Sequence, residues 1–461
     1  ILVYGFSGTS LPKSIENDGG AILIDSSRGN DASVILNRSV VRDCEACRNG
    51  GGVAVHGENG TLSLRDGVLF ERNKGRNNGG ALYASDGARV HVIAQSEGEL
   101  GGSVINVTGR GNHAGAGGGF VSVETGSEFA INGKGVVVQL GKNSATTAGG
   151  AIDASGGSSV RIVNGSSLHI LGDSTDAVKE ADFIGGGVHT RDQGTSVDIA
   201  GPGTRLNIKH CRSEFGSAMA IWNYASVFIS KGALVAVEDN LANEGRGAGI
   251  YIFKFGSLKI SGKETKVLVR RNLAAFSGAG LLLQQVASLY VESGAYVEIS
   301  HNVVIGYRFD INNVDRALGP GEAENHGGGL AMDEGCHLEI TGANTSILLS
   351  ENSASKYGGG LHVSESVVIA SNGSLLNITN NFARNGAGVS MLKGTLQVSG
   401  PGTRAILERN TALTCCTRCI QPKSPWEAEN GGGLIARHRT DNIQVREGGS
   451  LTANNNRAGN Q

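Results

Sequence analysis

Between Met219 and Asn302, apolar residues fall in pairs with one residue between them, and the pairs recur in three successive registers. Met219 and Ile221 align with Ile250 and Ile252, then with Leu281 and Leu283. Val227 and Ile229 align with Leu258 and Ile260, then with Leu289 and Val291. Val235 and Val237 align with Val267 and Val269, then with Val297 and Ile299. Period-two alternation marks a strand with one buried face. Turn pairs such as Lys231-Gly232, Ser261-Gly262 and Ser293-Gly294 separate the strands. The pattern predicts three short strands in every repeat of about 31 residues.

A glycine motif opens each repeat. Gly-Gly-Ala-Ile at Gly19 to Ile22 is the first of thirteen tight or looser copies, ending at Ile22, Val53, Leu82, Phe120, Ile152, Val188, Met219, Ile250, Leu281, Leu330, Leu361, Val389 and Leu434. A repeat of this kind buries its apolar face only against its neighbours. The expected fold is all-β: a right-handed parallel β-helix of about 13 coils, each of three short strands. The hand follows from the crossover preference of parallel strands. At roughly 4.8 Å per coil the stack would be about 60 Å long. The Leu-x-x-Leu-x-Leu framework of a leucine-rich repeat is absent, and the period is too short for a four-stranded propeller blade.

The third strand of each repeat ends in apolar-x-x-Asn, as at Phe70 to Asn73, Leu140 to Asn143, Val237 to Asn240, Val269 to Asn272, Ile299 to Asn302, Leu349 to Asn352, Ile378 to Asn381 and Leu407 to Asn410. Asn tolerates a left-handed turn and hydrogen-bonds neighbouring backbone, so stacked coils should form an Asn ladder with a structural role. The glycines read as turn and strand-entry residues. No Gly-Lys-Ser/Thr follows them, which excludes a phosphate loop.

Composition narrows the classes. Glycine is 73 of 461 residues and proline 6, without a Gly-X-Y period, which excludes collagen. A net charge of -2 gives no electrostatic basis for nucleic-acid binding. No run of about 18 apolar residues exists, so no membrane insertion by a helix is expected. The chain begins at Ile1 inside an apolar stretch, and residues 1–461 are read as one solenoid, a piece of a longer protein. Insertions interrupt it at about 303–326 and 411–430. Such loops leave one edge of a solenoid and carry what is specific to the protein, or shield a neighbouring face.

Phe70-Glu71-Arg72-Asn73, followed by Gly79-Gly80-Ala81-Leu82, resembles the paired Phe-x-x-Asn and Gly-Gly-Ala-Ile repeats of the chlamydial polymorphic outer-membrane proteins. The resemblance covers nearly the whole chain, with Val, Ile or Leu replacing Phe in most copies. It implies an extracellular, adhesive β-helix passenger and no catalytic residues. Similar repeats occur in large surface proteins of other microbes.

Seven Asn-x-Ser/Thr sequons stand at Asn37, Asn59, Asn106, Asn164, Asn344, Asn372 and Asn377. The strand and turn assignment places Asn59, Asn164, Asn344 and Asn372 in turns, and points Asn106 and Asn377 outward, as glycosylation requires. Cys44-x-x-Cys47 and Cys415-Cys416-x-x-Cys419 are expected to form local disulfides rather than one shared zinc site, because the two clusters lie many coils apart. Cys44 and Cys211 take the turn position held elsewhere by Asn, and Cys336 keeps phase with the core residues Leu338 and Ile340. No metal or other cofactor is expected.

In a chain only 5 % aromatic, Trp222, Tyr224, Tyr251, Phe253 and Phe255 form a strip at positions predicted to face outward. Such a strip is expected to be a binding surface for another protein segment, a partner subunit of the same assembly, or a glycan. Parallel β-helices also include polysaccharide lyases and hydrolases, which need convergent carboxylates. Paired Asp at strand spacing, Asn-Thr-Asp, Gly-His-Gly and Arg-Ile-Lys are all absent, and Asp310 and Asp315 share only an insertion. The expectation is therefore a non-catalytic extracellular or cell-surface scaffold or adhesin in a surface layer, appendage or filament. The alternative is a pectin-lyase-like carbohydrate-active enzyme.

Overall fold

Parallel strand pairing at the spacing of the repeat organises the chain. The structure, a computed structural model, describes residues 2–4, 18–93, 104–175, 184–243, 245–310, 313–320, 325–413 and 431–459. It divides into two compact units, Ile1–Ala236 and Val237–Gln461. Each unit is a stack of parallel β-helical coils, and the described elements are all strands.

In the first unit, Leu82 pairs with Val53, Val121 with Leu82, and Val188 with Met219. In the second, Ile250 pairs with Leu281, and Leu330 with Leu361. Apart from one copy, those registers are the alignment read from the sequence; Val121, not the expected Phe120, is the partner of Leu82, and Phe120 takes the place that Ala81 holds one coil earlier. Val227 and Ile229, or Val297 and Ile299, are buried, while their neighbours face away from the core.

Two features depart from the three-strand coil. A fourth, very short strand follows the Asn in most coils, as at Lys74–Gly75, His113–Ala114 and Leu273–Ala274. Its inward residues are small: in the second unit Ala242, Ala274, Val304, Ala354, Ala383 and Ala412 form one buried row beside Ala248, Ala279 and Ala387. The corner is narrow there, so larger side chains would overpack it. The insertions also start later than expected. Val303–Val304 and Thr411–Leu413 belong to the fourth sheet. Tyr307–Asp310, which contains Asp310, then pairs antiparallel with Asn313–Pro320, which contains Asp315.

The Asn ladder is present in both units, and the left-handed residue is the one before each Asn. Arg72, Lys142, Asp239, Arg271, His301, Glu351 and Arg409 all have φ between 51° and 58°. The Asn itself is buried and serves as a hydrogen-bond hub. The backbone N–H and Nδ2 of Asn272 both donate to Oδ1 of Asn302, at 3.0 and 2.9 Å, and Nδ2 also donates to the carbonyl of Val237. Asn302, Asn352, Asn381 and Asn410 repeat the pattern. In the first unit the row runs through Cys44, Asn73, Asn112, Asn143 and Asp173.

Candidate functional site

The strand that opens each coil carries the residues expected to bind. Its inward residues are core, as Met219, Ile221, Ile250 and Ile252 show. Its central outward residue is buried as well, because the glycine corner folds over it. At Gly278 and Gly327, both with φ of +60°, an added Cβ would lie 2.7 and 2.6 Å from the Cβ atoms of Leu282 and Ala331. This close approach is the physical reason for the glycine motif.

The aromatic strip is therefore divided. Tyr251 is only 4 % exposed, and its hydroxyl donates to Oε1 of Gln284 at 2.8 Å. It points away from the coil interior but is covered by the corner, so it is not a surface residue. Phe253 is half-buried, 5.4 Å from the Tyr251 ring, with Lys254 Nζ 5.2 Å from its centroid. Trp222, in the first unit, is half-buried and meets the His189 ring edge-on at 6.1 Å.

Tyr224 and Phe255 are the exposed members, at 54 % and 47 %. Both occupy left-handed turn positions, with φ of 67° and 62°. Val286, missed in the sequence, is 48 % exposed with φ of 63°. In the second unit Phe255, Val286 and Gly335 hold the same place in successive turns, each donating its N–H to the next turn, at Gln285, Glu334 and Glu365. The turns of the first unit place Gly87 and Gly126 in that setting. A β-branched residue with positive φ is a genuine outlier. Aligning the turns instead of the strands would have exposed the substitution of Phe and Val for Gly.

Carboxylates converge in the first unit around His56, with Asp18 and Asp86 at 3.2 and 3.9 Å, and again at Glu124 and Asp153. Glu124 accepts from Asn78 Nδ2 at 2.9 Å, the Tyr83 hydroxyl at 3.0 Å and the Ser122 hydroxyl at 3.1 Å. Burial, reinforced by the charge of Asp153, raises its pKa although the Tyr83 and Ser122 hydroxyls oppose the shift. Asp153 is fully buried 2.7 Å from Nδ1 of His189, with Arg191 at 3.8 Å. Glu124 and Asp153 are each already engaged by protein donors of their own. No group of three or more His, Cys, Asp or Glu suited to a metal occurs among the described residues.

Cys44 and Cys47 are not joined. The expected disulfide is replaced by a ladder role: Cys44 is buried, its N–H donates to Asn73 Oδ1, and its Sγ lies 3.2 Å from the carbonyl of Arg42. Cys336 is a core residue, and burial pushes its thiol up to about 12. Cys415, Cys416 and Cys419 lie outside the described residues. Asn37, Asn59, Asn106, Asn164, Asn344 and Asn372 are exposed, and Asn377 is half-buried between the buried Leu376 and Ile378.

The class defined by this architecture is the parallel β-helix repeat protein. Residues 67–85 match the family described as the Chlamydia polymorphic membrane protein repeat. That stretch holds the strand Val68–Glu71, the ladder residue Asn73 and the glycine corner. Among solved structures, the TibC-catalysed hyper-glycosylated fragment of TibA is similar at 12 % identity, with a TM-score of 0.20, over 90 % of this chain and 99 % of that one. No curated protein matches the chain.

Proposed function

We propose that the chain is a non-catalytic, cell-surface β-helix whose turns present apolar residues for adhesion or assembly. The repeat match at residues 67–85 supports the surface assignment. The observation that carries the adhesive role is the pair Phe255 and Val286, exposed at consecutive turns in a conformation that favours glycine. Exposed apolar surface held at a backbone cost is accounted for by a further contact made there.

Beads coated with the full chain should adhere to cell monolayers. The Phe255→Gly/Val286→Gly double variant should lose most of that adhesion, with the inward core intact. Equal adhesion by parent and variant contradicts the proposal. So does turnover of acidic polysaccharides by the parent chain, which would return the enzyme reading through Glu124 and Asp153.

A further inference from the structure

A second cluster lies in the Val237–Gln461 unit. His326 and His362 stack with ring centroids 4.2 Å apart and an interplanar angle of 24°. His326 also meets the Tyr357 ring at 5.3 Å. The Arg437 guanidinium lies over Tyr357 at 3.8 Å, and Lys356 Nζ is 5.1 Å from the same ring. His326, Lys356, Tyr357 and Arg437 are half-buried, whereas His362 is only 1 % exposed.

The buried polar atoms here are unusual. Nδ1 of His326, Nδ1 of His362, Oδ1 of Asn325 and Oγ of Ser390 are all buried without a hydrogen-bond partner among the described residues. Ser390 and His362 are register partners on adjacent strands, so two of these atoms belong to one row. A buried polar group left unsatisfied costs roughly 1–3 kcal/mol. The two imidazole Nδ1 atoms, on rings stacked 4.2 Å apart, are the pair that indicates a place for a polar ligand.

Charge selects the ligand. Arg437, Lys356 and Arg246 all act on His326, and Arg437 acts on His362. The carboxylate nearest His362 is Asp333, with Oδ1 3.9 Å from Nε2. Burial, followed by these three cations, pushes His326 down to about 3, and burial, followed by His326 and then Arg437, pushes His362 well below the usual imidazole range. Both rings are neutral at physiological pH, and a neutral ring can carry its proton on Nδ1 and donate it. A metal dication would have to sit among three cationic side chains, which opposes it. An oxyanion would gain the guanidinium fork and the imidazole donors.

We propose that this corner binds an oxyanion of the carboxylate or sulfate type, with Arg437 as the charged anchor and His326 and His362 as donors. The site is independent of the apolar turns. Saccharides carrying uronate or sulfate groups and free inorganic sulfate share this chemistry.

The test is a titration of the full chain, labelled with 15N-histidine, with sodium sulfate and separately with sodium glucuronate. Sodium chloride at matched ionic strength is the reference. Two neutral imidazoles should shift saturably with sulfate, glucuronate or both, and not with chloride. A response to glucuronate alone assigns a carboxylate ligand, and a response to sulfate alone assigns a sulfate ligand. Arg437→Gln should weaken binding by about tenfold or more. Lys259→Gln, which removes a positive charge from the Glu292 ion pair, should leave it unchanged. The proposal is overturned if the shifts follow ionic strength alone, if Arg437→Gln binds like the parent, or if zinc shifts these imidazoles while neither anion does.

Discussion

Asp173 shows how one residue adapts to a position made for another. It stands in the ladder where Asn is usual, and it accepts from the backbone N–H of Asn143 at 2.7 Å. Complete burial pushes its carboxyl well above the usual carboxylate range, against the hydrogen bonds from Asn143. A protonated carboxyl offers one acceptor and one donor, as an amide does. With a raised folded pKa, the native state binds more protons than the unfolded chain. Stability is then fully present below the unfolded value near ~3.9 and is lost as pH rises toward the folded value. Asp173→Asn should raise the melting temperature at pH 7 and flatten its fall between pH 4 and 7. Parallel curves for parent and variant would show that Asp173 is not held neutral. The sequence placed Asn at this corner and in a ladder, but not the turn itself: apolar-x-x-Asn concealed that the second x, not Asn, takes the left-handed conformation. The charged, polar or glycine residues at that second position, such as Arg72, Lys142 and Gly111, gave no distinct signal.

At the scale of the element, the three long faces were legible because each strand buries one side and alternates. The fourth face was not, because two-residue strands with an inward Ala have no period to detect. The opening strand misled in a different way. Its outward residue obeys the alternation, yet Tyr251 is covered, because burial there comes from the glycine corner of the same coil rather than from the core. The Asn row couples successive coils. In the second unit Asn272 receives both donors of Asn240 and gives its own to Asn302 and Val237. Asn272→Leu would strip the buried Asn240 groups of their acceptor and the Val237 carbonyl of a donor. It should lower stability by about 3 kcal/mol, read by urea unfolding, since each buried group left unsatisfied costs roughly 1–3 kcal/mol. A loss below about 0.5 kcal/mol would mean that the backbone ladders carry the stack without the amides.

At the scale of the whole molecule, repeat stability is close to a sum of coil and neighbour terms, so a local cost lowers the total without breaking the fold. That property allows Phe255 and Val286 to stand where glycine relieves strain. Apolar pairs could not disclose them, since turn residues fall outside the alternation. Their functional assignment requires that they cost the folded chain stability. The direct test is the unfolding free energy of the full chain carrying Phe255→Gly/Val286→Gly. Release of the left-handed strain is worth about 1–2 kcal/mol per residue, less about 0.5–1 kcal/mol each for the entropy of glycine. The account predicts a variant more stable than its parent by about 1 kcal/mol in total. A double variant less stable than the parent would show that these side chains serve the packing of the turns, and would contradict the adhesive role.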